Sequence, residues 1–247
     1  MELSVVIPCY NEEENILNTI LSIEEYMIKR GHNFEIIVVN DGSEDRTKKI
    51  VESTIEEIKR NNIKLISYKK NRGKGFAVKR GMISASGSVM LFIDGDGDIG
   101  ISNLDKMLPY LGSHDICLGS KSKSEQKIEL NNSCLYRRAL SRGGNFLVRR
   151  VTGLAFRDTQ CGLKIFRRSA AKILFPSLIT NGWGFDIELL IRAQDMGYRI
   201  LEIPVEWRYS KNSKVSWSGY LRTFLELLAV KRLIVNKNKN GSNSKNK

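Results

Sequence analysis

Short runs of apolar, often β-branched residues alternate with stretches of helical spacing through the first hundred residues. This alternation limits the possible folds more than any other feature. The runs cover residues 3–9, 34–40, 63–68 and 88–94. Their length and composition are typical of strands buried on both faces of a sheet. Helical stretches between them predict parallel βαβ units with right-handed crossovers. We therefore expect the α/β class, with a doubly wound, mainly parallel sheet flanked by helices.

The helices between these strands have identifiable starts. The first is expected to follow Asn11 and to begin with residues 12–14, three glutamates that suit the positive end of a helix. The second covers about residues 44–60, and the third begins near Lys74. Helical spacing in the first helix predicts a buried stripe of Ile16, Ile20, Ile23 and Met27.

Beyond residue 120 the pattern is less regular. A polar stretch over residues 121–132 indicates a lid or acceptor loop, and the final residues have the low complexity of a disordered tail. The elements expected here are a helix at 133–152, a strand near 164–166, a helix at 185–196, a strand at 199–207, an amphipathic helix at 218–235 and a disordered basic tail at 236–247.

Composition excludes several classes of protein. The chain has 247 residues, 41% of them hydrophobic, which allows a sizeable core and argues against disorder. Its four cysteines form no CxxC pair, so neither a zinc site nor a disulfide framework is expected and a reducing compartment fits. No run reaches the ~20 apolar residues that span a bilayer. The nearest, residues 224–235, contains Glu226, Lys231 and Arg232, so we expect its helix to lie on an anionic membrane surface or to pack on the domain.

The net charge of +13 is unevenly distributed. The first 120 residues are mildly acidic, whereas residues 121–168 hold 12 basic and 3 acidic side chains. A basic surface can serve nucleic acid, anionic lipid or phosphorylated substrates, and total charge does not choose among them.

Polar clusters follow four of the predicted strands. They are PCYNE at 8–12, NDGSEDRT at 40–47, NRGKG at 71–75 and DGDGD at 94–98. Taken singly, each could be a helix cap or a turn. Ligands of such sheets bind beyond the carboxyl ends of the strands, where all four clusters should meet. Capping alone does not account for three aspartates within five residues.

The aspartate cluster imitates two other motifs. Gly95, Gly97 and Gly100 match GxGxxG, but the adjacent carboxylates would repel a pyrophosphate placed on that turn. A calcium loop needs glycine at its sixth position, where Ile99 stands. What remains is a DxD motif that presents carboxylate oxygens to a divalent cation on a nucleotide diphosphate. The Walker A spacing is absent, which disfavours ordinary ATP hydrolysis.

These blocks, together with DTQCGLKIFRR at 158–168 and GWGFDIELL at 182–190, resemble family 2 glycosyltransferases of the GT-A fold. The later blocks are similar to the branch of dolichyl-phosphate glucosyltransferases and mannose synthases. The resemblance covers about residues 3–217. It implies a GT-A domain over 1–217, with a nucleotide-sugar half of about 1–120 and an acceptor half of about 121–217.

The resemblance also implies roles for particular residues. Pro8, Tyr10, Asn11 and Glu12 would cradle the nucleoside together with Asp41. Lys74 would lie by the diphosphate, and Asp94 with Asp96 would hold Mg²⁺ or Mn²⁺. Asn40 departs from the common pattern, which often has a second aspartate there. Asp98 is an extra carboxylate, for which we prefer the interpretation of a solvated turn residue.

An inverting transfer to a hydroxyl normally needs a carboxylate base, but a phosphate acceptor is already anionic near neutral pH. Catalysis then requires cations around two anions. Basic candidates for the acceptor side are Arg137, Arg138, Arg142, Arg149, Arg150, Arg208, Lys211 and Lys214, with Gln160 shaping that side. A solvated basic face or contact with lipid headgroups is the alternative for each of them.

The block GWGFDIELL supplies two further carboxylates, Asp186 and Glu188. Asp186 is the preferred catalytic candidate beside Asp96, and its role is open among a base, an acceptor of sugar hydroxyl hydrogen bonds and an anchor for an arginine. Trp183 could stack on a sugar or simply pack. Cys161 is expected to be buried rather than nucleophilic, because no base is placed to activate it.

The expected function is inverting transfer of a hexose from a UDP- or GDP-sugar to polyprenyl or dolichyl phosphate. The enzyme would be peripheral at the cytoplasmic face of a membrane. One alternative is a family 2 transferase acting on a saccharide hydroxyl, and another is a catalytically inactive scaffold. A remote alternative is a basic nucleic-acid-binding module, which lacks any recognisable signature here and would present carboxylates to a phosphate backbone.

Overall fold

The protein is described by a computed structural model that covers residues 2–59, 61–121, 143, 148–208 and 226. Seven strands form one sheet in the order β3-β2-β1-β4-β6-β5-β7. The strands are β1 Leu3–Cys9, β2 Phe34–Asn40, β3 Ile63–Ser67, β4 Val89–Ile93, β5 Ile116–Ser120, β6 Leu163–Arg167 and β7 Ile200–Pro204. The helices are α1 Ile16–Lys29, α2 Thr47–Ile58, α3 Lys74–Ser84, α4 Leu104–Met107, α5 Arg168–Ser177 and α6 Phe185–Asp195, with short 3-10 turns on either side of α4.

The first four strands run parallel, as the alternation predicts. β1 pairs in parallel with β2 and β4, and β2 pairs in parallel with β3. All seven residues of β1 are buried, because helices cover both faces. Val5 and Ile7 join the core beneath α1, whereas the alternate residue Val6 joins the core that contains α3, α5 and α6. The α/β fold class is therefore confirmed.

Helix α1 confirms the buried stripe but begins later than predicted. Ile16, Ile20, Ile23 and Met27 are at most 1% exposed. The helix starts at Ile16, and residues 12–14 form the turn before it, with the Ile16 N–H bonded to the Glu12 carbonyl. The glutamates leave the helix because this turn bonds to the neighbouring loop: the Glu12 N–H donates to Thr47 Oγ1, and Glu13 pairs with Arg46.

A strand at the end of the first half and a helix of the second half were not predicted from the sequence. One is β5, whose five residues have no long apolar run, and the other is α5. β6 runs antiparallel between β4 and β5, and β7 pairs in parallel with β5. β7 ends at Pro204, so the strand predicted over 199–207 was too long.

Part of the predicted second half lies outside the described residues. This applies to the loop at 122–132, to Arg137, Arg138, Arg142, Lys211 and Lys214, and to residues 218–247 apart from Glu226. In the region predicted as a helix at 133–152, Gly143 and residues 148–152 are helical. The domain boundaries at 120 and 217 stay predictions. Within the described ranges, no helix has both the length and the apolar content that crossing a membrane requires.

A buried carboxylate joins three strands at the edge of the sheet opposite the four motifs. Glu35, on β2, is fully buried. It accepts hydrogen bonds from the hydroxyls of Ser4 and Ser86 and from Lys64 Nζ. Burial alone would raise the pKa of Glu35, but the hydrogen bonds from Ser86, Ser4 and Lys64 outweigh it and lower the pKa from 4.5 to about 2.

Because the pKa is lower in the folded protein, ionised Glu35 stabilises the fold above about pH 4.5, and this contribution disappears as the pH falls towards 2. We expect Glu35→Gln to lower the free energy of unfolding at pH 7 by about 2–3 kcal/mol. Urea unfolding at pH 7, 4 and 3 should show the deficit shrinking with acidity. Glu25→Gln, at an exposed position of α1, is the control. A deficit that stays constant between pH 7 and pH 3 would contradict this account.

Candidate active site

The strand directions bring seven segments to one edge of the sheet, here called the carboxyl edge. The parallel strands β1 to β4 end there, so residues 9–12, 40–45, 67–74 and 94–98 meet. β5 also ends there, because it is antiparallel to β6, which is itself antiparallel to β4. β7 ends there because it is parallel to β5. The antiparallel β6 begins there, and this delivers the block at 158–163. The sequence analysis did not place these last three segments, which belong to β5, β6 and β7, at this edge of the sheet.

Lys74 and Asp94 form the centre of this edge. Lys74, the first residue of α3, lies 2.7 and 2.9 Å from the two Asp94 oxygens, and its side chain is 11% exposed. Burial by itself lowers the pKa of Lys74, but Asp94, Asp186 and Asp96 outweigh it, so the pKa rises and the side chain stays charged. Gly162 leaves the space that Asp94 occupies, because a β-carbon at Gly162 would overlap Asp94 Oδ2.

Among the described residues, no cation lies as close to Asp96 or Asp98, the other two aspartates of this turn, as Lys74 lies to Asp94. Burial and the nearby Asp94 raise the pKa of Asp96, and burial with Asp96 raises that of Asp98 to about 6. Lys121 Nζ lies 3.9 Å from Asp98 Oδ2. Asp98 is thus a partly exposed residue of this turn next to Asp96, and its interpretation as a solvated turn residue stays a prediction.

These carboxylates fit a divalent cation in one specific way. Within the described part of the chain, no three acidic, histidine or cysteine side chains are placed to hold a metal by themselves. Two carboxylates that repel each other in a partly buried turn would gain from a cation, and Mg²⁺ is usually held by one or two carboxylates plus substrate phosphate. The donor set suits a cation that arrives with a diphosphate.

Asp41 has a structural partner in the NRGKG loop. Its two carboxylate oxygens accept the N–H groups of Arg72 and Gly73 at 2.8 and 2.9 Å, and the residue is 3% exposed. A β-carbon at Gly42 would lie 2.6 Å from Asn71 N, so the two loops touch along their backbones. Asp41 fixes the loop that carries Lys74. Its part in cradling the nucleoside stays a prediction.

The remaining residues predicted for the nucleoside lie beside Asp41. Tyr10 is 37% exposed at the edge, whereas Pro8 is buried within β1 opposite Val39. Asn11 has a φ of 54°, and its side-chain oxygen accepts the Glu44 N–H. Bonds such as this one hold the loops after β1 and β2 together beside the partly exposed Tyr10 side chain. Asn40, the departure from the family pattern, donates from Nδ2 to Ser67 Oγ and accepts the Ser43 N–H.

The turn at 180–184 packs directly against the NRGKG loop. A β-carbon at Gly73 would overlap Asn181 O, and one at Gly75 would lie 2.7 Å from Thr180 O. These two glycines permit close approach of the backbones, which the simple turn interpretation did not foresee. The Trp183 ring lies 4.9 Å from Lys74 Nζ, a distance typical of a cation–π contact. Gln160 Nε2 donates to Trp183 O at 3.4 Å.

Asp186 lies behind this edge rather than open to it. It is 1% exposed, and its Oδ1 is 2.6 Å from Nζ of Lys164, which is itself fully buried. Lys164 Nζ also donates to Cys161 O and lies 5.3 Å from the Phe92 ring centre. Burial raises the pKa of Asp186, and Lys164 and then Lys74 counter it.

Glu188 holds the start of the same turn. Its carboxylate accepts the N–H groups of Ile179 and Thr180 and the Nε of Arg192. Glu188 is therefore a structural carboxylate. The expectation that Cys161 is buried is confirmed, and burial raises the pKa of its thiol to about 12.

Comparison with known proteins agrees with this geometry. Residues 4–175 match the domain of glycosyl transferase family 2. The chain belongs to that family. It is 35% identical over 236 residues to a dolichyl-phosphate beta-glucosyltransferase of Trichomonas vaginalis, covering 91% of this chain and 69% of that protein. It is also 35% identical over 243 residues to the Homo sapiens dolichyl-phosphate beta-glucosyltransferase, covering 93% of this chain and 75% of that protein.

Solved structures confirm the GT-A fold. The glucosyl-3-phosphoglycerate synthase of Mycobacterium tuberculosis, in complex with Mn²⁺, UDP and phosphoglyceric acid, superposes with a TM-score of 0.69 at 20% identity. The match covers 93% of this chain and 78% of that one. A complex of the same enzyme with Mg²⁺ and UDP gives a TM-score of 0.65 at 21% identity, covering 92% and 79%.

The structure describes some of the residues predicted for the acceptor side. The backbone N–H of the exposed Arg208 donates to Asp98 O at 2.7 Å, so Arg208 adjoins the aspartate turn, and Gln160 contacts Trp183. Arg149 is half-buried, and its Nε is buried without a hydrogen-bond partner in the described structure. Arg150 is exposed.

Sequence reasoning missed Lys164, Lys121 and the role of Gly162. A signal for Lys164 does exist: it interrupts the apolar run LKIF, and a charge in a buried strand must be paired. Its partner Asp186 lies 22 residues away, and no sequence spacing indicates that contact.

Lys164→Met would leave Asp186 buried without its closest counter-ion. We expect a loss of about 3–5 kcal/mol in the free energy of unfolding, because an uncompensated buried charge is costly. Lys164→Met combined with Asp186→Leu should recover most of this loss, as urea unfolding would measure. Lys49→Met, at an exposed position of α2, is the matched control. Losses that simply add in the double variant would show that the two residues are not coupled.

Proposed function

We propose that the chain transfers glucose, with inversion, from a nucleotide diphosphate sugar to dolichyl or another polyprenyl phosphate. The observation that carries the proposal is the pairing of Lys74 with Asp94, beside Asp96, at the carboxyl edge. β5 ends at the same edge, and the basic second half of the chain follows it. Support for the sugar and the acceptor comes from the relatives, which are named dolichyl-phosphate beta-glucosyltransferases at 33–35% identity.

On the donor side, the chain's own residues hold the diphosphate and prepare its departure. Lys74 stays charged within a largely buried group, so it can stabilise negative charge that develops on the leaving diphosphate. Asp94 and Asp96 would hold Mg²⁺ or Mn²⁺, which when bound neutralises diphosphate oxygens. Tyr10 is partly exposed where the nucleoside would bind. Asp41 accepts backbone hydrogen bonds from the loop that carries Lys74 and so keeps that loop in place.

On the acceptor side, the nucleophile is a phosphate oxygen. Its second pKa near 6 leaves it largely dianionic at neutral pH, so no protein base has to remove a proton. Three roles were considered for Asp186: a base, an acceptor of sugar hydroxyl hydrogen bonds and an anchor for an arginine. Its burial against Lys164 instead supports a fourth role, in which it positions its neighbours. The attacking oxygen forms its bond to the sugar carbon as the bond to the diphosphate breaks, which inverts that carbon.

A polyprenyl phosphate would meet the enzyme at a bilayer surface. We therefore propose peripheral binding at the cytoplasmic face, with residues 218–235 contributing an amphipathic helix. Cys9, Cys117 and Cys161, the three cysteines that the structure describes, are buried thiols outside any disulfide, which supports a reducing compartment.

The decisive experiment is incubation with labelled nucleotide sugars and polyprenyl phosphate, with Mg²⁺ or Mn²⁺, followed by extraction into organic solvent. The donor panel contains UDP-glucose, GDP-mannose and UDP-N-acetylglucosamine. Label from glucose in the lipid phase is the expected result. Label transferred only to an oligosaccharide would support the saccharide-hydroxyl alternative, and turnover of no donor would support a scaffold.

Asp96→Ala should reduce lipid labelling about a hundredfold or more, because metal stabilisation of the leaving group contributes several kcal/mol. Asp195→Ala, at the exposed end of α6, is the control and should keep wild-type activity. Calorimetric titration with Mn²⁺ and UDP should show weaker binding by Asp96→Ala than by wild type, and unchanged binding by Asp195→Ala. Full activity of that variant would exclude the metal assignment.

Arg149→Gln should raise the KM for polyprenyl phosphate about tenfold or more, because a charged hydrogen bond is worth about 1.5–3 kcal/mol. The KM for the nucleotide sugar should not change. Arg80→Gln, at an exposed position of α3, is the matched control. An unchanged acceptor KM would remove Arg149 from the acceptor site.

A further inference from the structure

The side chain of Glu226 reaches the turn that carries Trp183. Its Oε2 accepts the backbone N–H of Gly184 at 2.8 Å. Glu226 lies 42 residues beyond Gly184, in the segment 218–235 for which membrane binding is proposed. At this residue, the chain packs on the domain.

Two glycines make room for this carboxylate. A β-carbon at Gly182 would overlap the Glu226 carboxylate, and one at Gly184 would lie 2.9 Å from the Glu226 β-carbon and 3.0 Å from Oε2. Neither glycine has a positive φ, so conformational freedom does not require glycine at these positions. Close approach of Glu226 is therefore the physical reason for the sequence Gly-Trp-Gly.

The turn held by Glu226 contacts the donor side directly. The Trp183 ring lies 4.9 Å from Lys74 Nζ, and Asn181 O accepts the Phe76 N–H of α3 at 3.1 Å. Gly184 is also the cap residue of α6, whose first turn carries Asp186. A carboxylate at the start of a helix interacts favourably with the helix dipole. Glu226 thus acts on both neighbours of Lys74: the Trp183 ring and the helix that bears Asp186.

We infer that Glu226 is a positioning residue of the active site: it holds the 182–184 turn and, through Trp183, the orientation of Lys74 towards the leaving diphosphate. The last step rests on the function proposed above, whereas the coupling of Glu226 to Trp183 does not. Glu226 would then complete the donor site.

The test compares Glu226→Ala, Glu226→Gln and Gly184→Ala with wild type, using the full chain. Gln keeps an oxygen that can accept the Gly184 N–H, so it should restore much of what Ala loses. Glu25→Gln, on the exposed surface of α1, is the control for removal of a carboxylate. Trp183→Phe assigns the indole N–H signal of Trp183 in ¹H–¹⁵N spectra.

In the protein without nucleotide, the Trp183 indole signal should shift in Glu226→Ala and Gly184→Ala, and it should lie near its wild-type position in Glu226→Gln. The kcat/KM for the sugar donor should fall about ten- to hundredfold in Glu226→Ala, as expected for a misplaced catalytic group.

A double-mutant cycle between Glu226→Ala and Trp183→Phe separates positioning from general destabilisation. UDP affinity measured with Mn²⁺ should show non-additive losses if Glu226 acts through Trp183. An unshifted indole signal in Glu226→Ala would overturn the inference, as would additive losses. Failure of wild type to label lipid phosphate would instead reject the proposed acceptor, and the indole shift would still decide the role of Glu226.

Discussion

Charge compensation at the carboxyl edge is the constraint on which the rest of the structure depends. Asp94 is partly buried and Asp186 is fully buried, and each is paired with one lysine, Lys74 or Lys164. Charges in such surroundings are tolerated only when they are paired and hydrogen-bonded. In the described part of the chain the cation nearest to Asp98 is Lys121, whose Nζ lies 3.9 Å from Oδ2, a looser pairing than that of Asp94. This imbalance suits a site whose remaining positive charge arrives with the substrate. At the carboxyl edge, Asp94 and Asp186 are thus each paired closely with a lysine, whereas Asp96 and Asp98 carry negative charge that a bound cation would compensate.

The mixed sheet makes this compensation possible. Because β6 runs against its neighbours, its first residues reach the edge where the parallel strands end, and Lys164 enters the interior behind Asp94. Glycines then allow backbones to approach: Gly162 next to Asp94, and Gly73 and Gly75 next to the turn at 180–184. A side chain at any of these positions would separate the two halves of the site. Glycine at these positions therefore allows the charged side chains of the site to lie within contact distance of one another.

The same electrostatic arrangement fits transfer to an anionic acceptor. A phosphate nucleophile carries its own negative charge, so the protein has to gather cations around two anions and stabilise the diphosphate as it leaves. In the proposed reaction Lys74 would stabilise the leaving diphosphate, and Arg149 is a candidate for the acceptor phosphate. Burial of Asp186 agrees with a reaction that needs no carboxylate base. Membership of glycosyl transferase family 2 and the relatives' names lead to the same chemistry by an independent route.

The sequence by itself determined the front of the molecule, because periodicity reports burial directly. Apolar runs at 3–9, 34–40, 63–68 and 88–94 became β1 to β4, and the four motifs met at one edge as the rule for parallel strands requires. Local pattern also explains the errors. The acidic start of α1 was drawn into a turn by the loop at 43–47, and β5 was too short and irregular to be recognised.

Only the tertiary structure decided which charges face each other. Lys164 with Asp186, Gly162 with Asp94 and Glu226 with Gly184 are contacts between residues far apart in sequence or on different elements, and no spacing rule indicates them. Their physical reason is the burial of charge: a carboxylate removed from water must find a donor, and the fold determines which donors lie within reach.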